Sequence, residues 1–275
     1  MRKSFAVLLV LALPLAASCK KSVGDLHTVD VAADAAGTPA APTKVSVEVK
    51  AGELHLVPGG VHTVGGSVRS NVKDLDPKVD PTPGTVHITQ GAADVEPSAI
   101  TGEVVADWRL TLGSTPMELS VDGKAAKTEL DLSGLALKSL TVRSAAGAVD
   151  LSSKTANPMT ADLVDVESGA GALTLKDLGN LGAAKVRVHT GMGSITLDMG
   201  KRIDRDMTVD VEATAGAINI TMPLGVGARA EVQGGKVTGA GWDKDGDAWV
   251  VTGGTPAKVT FKIKAGAGVI LLNAN

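Results

Sequence analysis

The chain has 275 residues, of which 27 are Lys or Arg and 30 are Asp or Glu, so its formal net charge is −3. This mildly acidic balance argues against nucleic acid as a partner, because binding to phosphates requires a basic surface. The single cysteine excludes an internal disulfide framework. With no Tyr, 2 Phe and 3 Trp, the chain must fill its core with Val, Leu, Ile and Ala.

The first residues follow the plan of a secretory signal. Two basic residues precede an apolar run over 5–13 and a stretch of small residues. The sequence LAASC at 15–19 resembles the lipobox of bacterial lipoproteins, which implies cleavage between Ser18 and Cys19 and lipidation of Cys19. We therefore expect a lipid-anchored protein of the cell envelope. If the organism is Gram-negative, Lys20 after the cysteine indicates the outer membrane.

Composition divides the chain into four parts. An Ala, Pro and Thr tract without periodicity follows Cys19 and is typical of a tether. Part of this tract, around Thr28 to Val31, could still pair as a strand. From Val45 onwards, short alternating apolar runs are separated by Gly, Pro and Asp, and helical stripes with caps are missing, so we predict an all-β protein. The predicted parts are a signal peptide (1–18), a lipidated tether (19–43), an N-terminal β subdomain (44–113) and a repeat domain (114–275).

A glycine-containing corner recurs in the repeat domain, for example as SGAGALTL at 168–175, HTGMGSITL at 189–197 and KAGAGVILL at 264–272. Its second glycine, or Ala126 in a degenerate copy, returns every 21 to 24 residues as far as Gly216. An apolar residue stands five positions before this glycine, and two more stand two and four positions after it. In a straight strand the first would point to one face of the sheet and the other two to the opposite face. The corner must therefore turn the chain, which glycine allows by adopting positive φ. The predicted corner glycines are Gly147, Gly169, Gly171, Gly191, Gly193, Gly216, Gly266 and Gly268.

This repeat predicts a right-handed β-solenoid-like stack, in which each rung of about 22 residues buries its apolar edge against the next. A series of antiparallel hairpins with Gly-x-Gly loops is the alternative. Parallel stacking would place opposite charges side by side in two columns, and this favours it. One column contains Asp165, Arg187 and Asp210 and continues to Arg229; the other contains Asp122, Arg143, Glu167, His189 and Glu212.

The repeat is interrupted by GWDKDGDAWVV at 241–251. Two tryptophans, Trp242 and Trp249, flank a turn rich in Asp and Gly, which predicts a hairpin that projects from the array. Its indoles would pack on each other or on the terminal rung.

The repeats at 117–152, 165–199 and 211–235 resemble the toast-rack family of bacterial envelope proteins. That family is related to surface-adhesin domains and to the C-terminal domain of LiaF-type envelope-stress proteins. The resemblance covers most of residues 44–275. It implies a β-solenoid-like domain on the cell surface, with no catalytic motif to carry over.

Other chemical motifs are incomplete. The Gly-x-Gly runs lack the third glycine and the helix of a dinucleotide site, and Leu173 and Ile195 stand where calcium-binding β-rolls have aspartates. Three aspartates have EF-hand spacing, but Ala248 and Gly254 replace the required glycine and glutamate. The five histidines form no paired metal motif. We therefore predict no metal and no cofactor; the residues concerned are Asp243, Asp245, Asp247, His27, His55, His62, His87 and His189.

The sequence thus predicts a non-enzymatic, lipid-anchored structural or interaction protein of the envelope, with an adhesin-like role. Its expected partners are the membrane, through the lipid, and envelope proteins or polysaccharide. One alternative is a carbohydrate-active solenoid enzyme that uses a carboxylate cluster on the outer face. Another is an accessory to an envelope-stress sensor. The carboxylates of the enzyme alternative are Asp165, Glu167, Asp210 and Glu212.

Overall fold

The computed structural model of the protein describes residues 24–35, 42–91, 104–254 and 258–275, so the predicted signal peptide, Ser18 and Cys19 lie outside the described residues. In the described part, the elements are β-strands apart from two short 3₁₀ helices, Lys73–Leu75 and Leu178–Leu181. This confirms the all-β prediction. No helix there is long and apolar enough to cross a membrane. The strands are β1 (His27–Ala33), β2 (Thr43–Pro58), β3 (Val64–Ser70), β4 (Pro77–Thr82), β5 (Thr85–Gln90), β6 (Ala106–Leu112), β7 (Met117–Asp131), β8 (Leu137–Ala146), β9 (Val149–Ser152), β10 (Leu163–Lys176), β11 (Lys185–Asp198), β12 (Met207–Met222), β13 (Gly227–Gln233), β14 (Lys236–Ala240), β15 (Asp243–Asp245), β16 (Ala248–Val251) and β17 (Lys258–Ala274).

The repeats stack in parallel as rungs of a β-solenoid-like array. Gly171 lies opposite Gly193, which lies opposite Gly216, which in turn lies opposite Gly268. The apolar positions after the corner, such as Leu173 in β10, match their counterparts in the next rung as well. Neighbouring repeats are parallel, so the alternative of successive antiparallel hairpins is wrong for this array.

Each long strand bends at its corner and contributes to two sheets. The part before the corner, here called the first arm, belongs to a sheet with the order β4, β5, β2, β7, β8, β10, β11, β12, β17, β13, β16, β15. The part after the corner, the second arm, belongs to a sheet with the order β1, β3, β6, β2, β7, β9, β10, β11, β12, β17, β14. On each arm, side chains alternate between pointing inward and pointing outward. The inward side chains of both sheets pack together in one aliphatic core.

The order of the rungs departs from the order of the chain at both ends of the stack. The last strand, β17, inserts between β12 and β13 instead of following β13. In the same way, β2 lies between β5 or β6 and β7. The interior of the stack, from β7 to β12, keeps chain order.

The few aromatic side chains lie at the two ends of the stack. Trp108 of β6 is fully buried at one end, while Trp242 and Phe261 meet edge to face at the other, with 6.1 Å between ring centroids. The predicted hairpin forms as β15 and β16. It does not project, however, because β16 also pairs with β13 and Trp249 packs over Gly239. The hairpin therefore caps the array, and capping is what an open solenoid end requires.

Strand β1 lies within the predicted tether and is part of the fold. It pairs antiparallel with β3 along its whole length, from His27 opposite Ser70 to Ala33 opposite Val64. Consequently, only four residues, 20–23, separate Cys19 from the first described residue, Gly24. One hydrophobic core runs from β1 to β17, across the predicted boundary at 113/114, and that division stays a prediction.

Candidate functional site

The corner glycines form a column in which backbones touch. The second glycine of each corner has φ between +128° and +154°, a conformation that side chains rarely adopt. A Cβ atom on any of them would lie 1.6 to 2.4 Å from the carbonyl oxygen of the rung before it. Close packing of the backbones in this column is therefore enough to explain why glycine occupies these positions. These glycines are Gly147, Gly171, Gly193, Gly216 and Gly268.

The first glycine of the corner is also confined by the neighbouring rung. A Cβ atom on Gly169, Gly191 or Gly266 would lie 2.3 to 2.6 Å from a backbone oxygen. The ridge along the corners is therefore smooth, and Met192, 64% exposed, is the large side chain that stands out from it.

The outer face of the first-arm sheet carries charges whose sign alternates from rung to rung. Apart from Lys124 at the corner of β7, each rung from β7 to β17 presents outward charges of one sign, and its neighbours present the other. Opposite charges on adjacent strands favour this register by about 0.2–1 kcal/mol per pair. In stack order the charges are Glu118 and Asp122; Arg143; Asp165 and Glu167; Lys185 and Arg187; Asp210 and Glu212; Lys262 and Lys264.

The pairing register places Arg187 directly opposite Asp165 on one side and Asp210 on the other. His189 lies in the same way between Glu167 and Glu212. In the described part of the chain, however, neither Arg187 nor His189 has a carboxylate oxygen within 4.0 Å. Their role as rungs of a charge ladder stays a prediction.

The ion pairs on this face are both direct and diagonal. Arg143 lies directly opposite Glu167, and its Nε lies 3.1 Å from Oε2 of that residue. Arg143 also donates diagonally from Nη2 to Oδ2 of Asp165 over 2.7 Å, and this hydrogen bond raises the pKa of Arg143 above its usual value. Lys185 reaches Asp210 diagonally over 3.4 Å. Alignment of the columns did not indicate the two diagonal contacts, which depend on the reach of long side chains.

The predicted extension of one column to Arg229 is wrong. Lys262 lies opposite Asp210, and Glu231 lies opposite Lys262. Arg229 pairs instead with Glu231 over 3.6 Å and with Asp245 of the capping hairpin over 3.2 Å. The cause is the insertion of β17, whose lysine separates two carboxylates that would otherwise be adjacent.

A shallow groove of about 340 Å³ crosses the outer face of the second-arm sheet near β2, β7 and β9. Within it, Nδ1 of His55 lies 2.8 Å from Oε2 of Glu129, and Lys127 forms a second ion pair with the same carboxylate. These contacts, with Lys127 the stronger, lower the pKa of Glu129. Asp150 lies directly opposite Glu129. Since the contact with Lys127 lowers its pKa, Glu129 is poorly suited to act as a general acid.

Four of the five histidines pair with carboxylates of other elements, a feature that the sequence did not predict. Their partners lie 28 to 74 residues away along the chain, so no local motif could have indicated them. The distances are 2.7 Å for His27–Asp76, 2.8 Å for His55–Glu129, 2.7 Å for His62–Asp34 and 3.1 Å for His87–Glu48.

Metal ligation finds no support in these contacts. Within the described ranges, no three His, Cys, Asp or Glu side chains are grouped to hold a metal ion. The three aspartates with EF-hand spacing are exposed, and Asp245 among them is engaged by Arg229.

The arrangement defines a class of protein: a capped, aliphatic β-solenoid whose rungs meet at glycine corners. The chain belongs to the toast-rack family. The family model described as the N-terminal domain of toast_rack, DUF2154, matches residues 22–176. A comparison with curated proteins gives no match.

Three solved structures are similar to the chain. A "putative cell adhesion protein" from Clostridium sporogenes ATCC 15579 is 15% identical with a TM-score of 0.48, covering 91% of this chain and 100% of that chain. A "putative adhesin" from Bacteroides fragilis NCTC 9343 is 12% identical with a TM-score of 0.42, covering 90% and 97%. Another from Parabacteroides distasonis ATCC 8503 is 10% identical with a TM-score of 0.30, covering 90% and 98%. At these TM-scores the three proteins say nothing about what this chain binds.

Proposed function

We propose that the protein is a non-enzymatic interaction module of the bacterial cell envelope, anchored by a lipid on Cys19 and adhesin-like in its role. The observation that carries the proposal is the position of the lipobox-like sequence LAASC at 15–19, which ends four residues before Gly24, the first residue that the structure describes. A lipid on Cys19 would hold the end of the stack that bears β1 close to the bilayer.

The shape of the stack supports an interaction role. Eleven strands follow one another in the second-arm sheet, from β1 to β14, which gives a length of about 48 Å at roughly 4.8 Å per strand. The anchored end carries β1, and the capping hairpin lies at the opposite end. Such a rod presents two long outer faces to envelope proteins or polysaccharide.

The contacts favour this function over a carbohydrate-active enzyme. Hydrolysis of a glycosidic bond uses one protonated and one free carboxylate on either side of the bond. On the first-arm face Arg143 contacts both Asp165 and Glu167, and Lys185 contacts Asp210. These three carboxylates are therefore held by side chains of neighbouring rungs and are not free to flank a glycosidic bond.

The anchor is tested with the full-length gene in its own host. We expect the wild-type protein to incorporate a palmitate analogue and to fractionate with membranes. Cys19→Ser should incorporate none and move to the soluble fraction. The matched control, Ser22→Ala, lies outside the lipobox and should behave as wild type. A Cys19→Ser variant that stays with membranes would contradict the lipid anchor.

The interaction role is tested separately by photocrosslinking in cells. A photoreactive residue is placed on the first-arm face at Arg187, on the second-arm face at Thr196, and at Leu224 as an exposed control. We expect one of the two faces to crosslink to an envelope protein or to polysaccharide more strongly than the control does. Equal, weak crosslinking at all three positions would count against an interaction role.

A further inference from the structure

Edge strand β1 is held at both ends by a histidine–carboxylate pair. At its start, Nε2 of His27 donates to Oδ1 of Asp76 over 2.7 Å. Just beyond its end, Nδ1 of His62 donates to Oδ2 of Asp34 over 2.7 Å. Between these points, and within the described part of the chain, β1 pairs with β3 along one edge only. The two pairs therefore clamp the strand where it enters and where it leaves the sheet.

The geometry at His27 suits the protonated ring. One ring nitrogen faces Asp76, and the other, Nδ1, lies 3.3 Å from the backbone oxygen of Asp25. A neutral imidazole has a single N–H, so only the imidazolium donates to both acceptors. Accordingly, the hydrogen bond to Asp76, followed by that to Asp25, raises the pKa of His27.

The second pair involves a carboxylate that accepts twice. Oδ2 of Asp34 accepts from His62, and Oδ1 accepts from the backbone N–H of Thr63 over 2.7 Å. These hydrogen bonds, that of His62 first, lower the pKa of Asp34. The ionised carboxylate therefore accepts both hydrogen bonds and holds the chain just beyond the end of β1.

Charged groups of several elements lie near His27. Lys73 lowers and Asp76 raises the pKa of His27. Asp74 shares the 3₁₀ helix with Lys73, and Arg69 lies in the adjoining strand β3. Lys78 and Asp80 lie in β4, which also contacts β1.

We propose that β1 is a pH-sensitive latch, which sets the length of free chain between the lipid anchor and the stack. With His27 protonated, β1 is docked against β3. When His27 loses its proton, the clamp at the start of β1 weakens and the strand detaches more often. The 7 residues of β1 then join the free chain, and its reach grows by about 24 Å.

The pH window follows from the two shifted groups. A raised pKa at His27 means that its stabilising effect is complete below the ordinary histidine value of 6.5 and is lost as pH rises through the folded-state pKa. A lowered pKa at Asp34 means that its effect is present above the ordinary value of 3.8 and is lost as pH falls through the folded-state pKa. The latch is therefore tightest between these two ordinary values.

Hydrogen exchange of the full-length mature protein in detergent micelles tests the latch. Between about pH 5.5 and about pH 8.5, after correction for intrinsic exchange, we expect protection of β1 amides to fall about threefold, as the loss of one exposed ion pair, His27–Asp76, allows. Protection in β10 to β12 should change by less than about twofold.

Matched variants assign the effect to the His27 clamp. The variant His27→Gln keeps a polar side chain that does not titrate, so its β1 should exchange at every pH as the wild type does at about pH 8.5. His87→Gln is the matched control. It removes the pair of His87 with Glu48, away from β1, and should keep the wild-type pH dependence of β1.

Three results would overturn the latch. These are equal protection of β1 at both ends of the pH range, the same pH dependence in His27→Gln, and an equal loss of protection in β10 to β12, which would indicate global unfolding. The consequence for tether length rests on the proposed lipidation of Cys19, but the exchange measurement does not. A failed latch and a failed anchor can therefore be told apart, because lipid labelling reports the anchor alone.

Discussion

Replacing Gly193 with alanine tests whether backbone packing determines the corners. Gly193 has φ +142°, and a Cβ atom there would lie 1.8 Å from the carbonyl oxygen of Gly171. That oxygen belongs to the hydrogen-bonded backbone of β10, so it cannot swing aside as a flexible side chain would. The array already contains one alanine at this position, Ala126, and it does so with φ outside the positive region.

The magnitude has two parts. A residue other than glycine in such a conformation costs about 1–3 kcal/mol, and forcing extra volume into a packed site costs about 1–3 kcal/mol more. Gly193→Ala should therefore lower the free energy of unfolding by about 2–6 kcal/mol, a large part of the roughly 5–15 kcal/mol of a typical domain. Gly59→Ala is the matched control, since Gly59 has φ +105° but nothing lies within 4 Å of its added Cβ.

Urea denaturation followed by circular dichroism measures both variants, provided that their m-values agree with that of the wild type. The control should lose only the conformational part, about 1–3 kcal/mol. If Gly193→Ala is no more destabilised than Gly59→Ala, the contact between glycine backbones does not determine the corner, and the explanation of the repeat fails.

Two further predictions concern the charged face and the cap. Arg143→Met should lower the free energy of unfolding by about 0.5–1 kcal/mol at low salt and by almost nothing in about 1 M NaCl, because its exposed ion pairs are screened. Lys154→Met is the control, and a salt-independent effect of Arg143→Met would refute the electrostatic account. Trp242→Ala should cost about 3 kcal/mol, since the indole is 5% exposed and packs on Phe261. Leu224→Ala, at a side chain 73% exposed, should stay within about 0.5 kcal/mol, and equal losses in thermal or urea unfolding would contradict a capping role.

Much of the fold followed from local patterns. The spacing of apolar residues around Gly171, Gly193 and Gly216 indicated both the corners and the residue-to-residue alignment of the rungs. The turn between Trp242 and Trp249 indicated a hairpin. These patterns succeed because the twofold alternation of a strand and the conformational freedom of glycine act over a few residues.

The contacts between side chains on the surface were less predictable from the sequence. Alignment of columns singled out Arg187, whereas the cation in contact with Asp165 is Arg143, because side-chain reach decides which diagonal neighbours meet. The histidine pairs, such as His62 with Asp34, had no signal at all. Their partners become neighbours only when β1 docks against β3, and this docking joins segments without any repeat in common.

By itself, the sequence determined what each residue does within a rung: which side chains face the core, where the chain turns, and which positions align between neighbours. Tertiary structure alone decided which rungs are neighbours. Backbone hydrogen bonds between parallel strands are the same for any pair of rungs, so periodicity leaves their order open. The order at the ends is settled by β17, whose Lys262 separates Asp210 from Glu231, and by the aromatic cap that closes the core behind it.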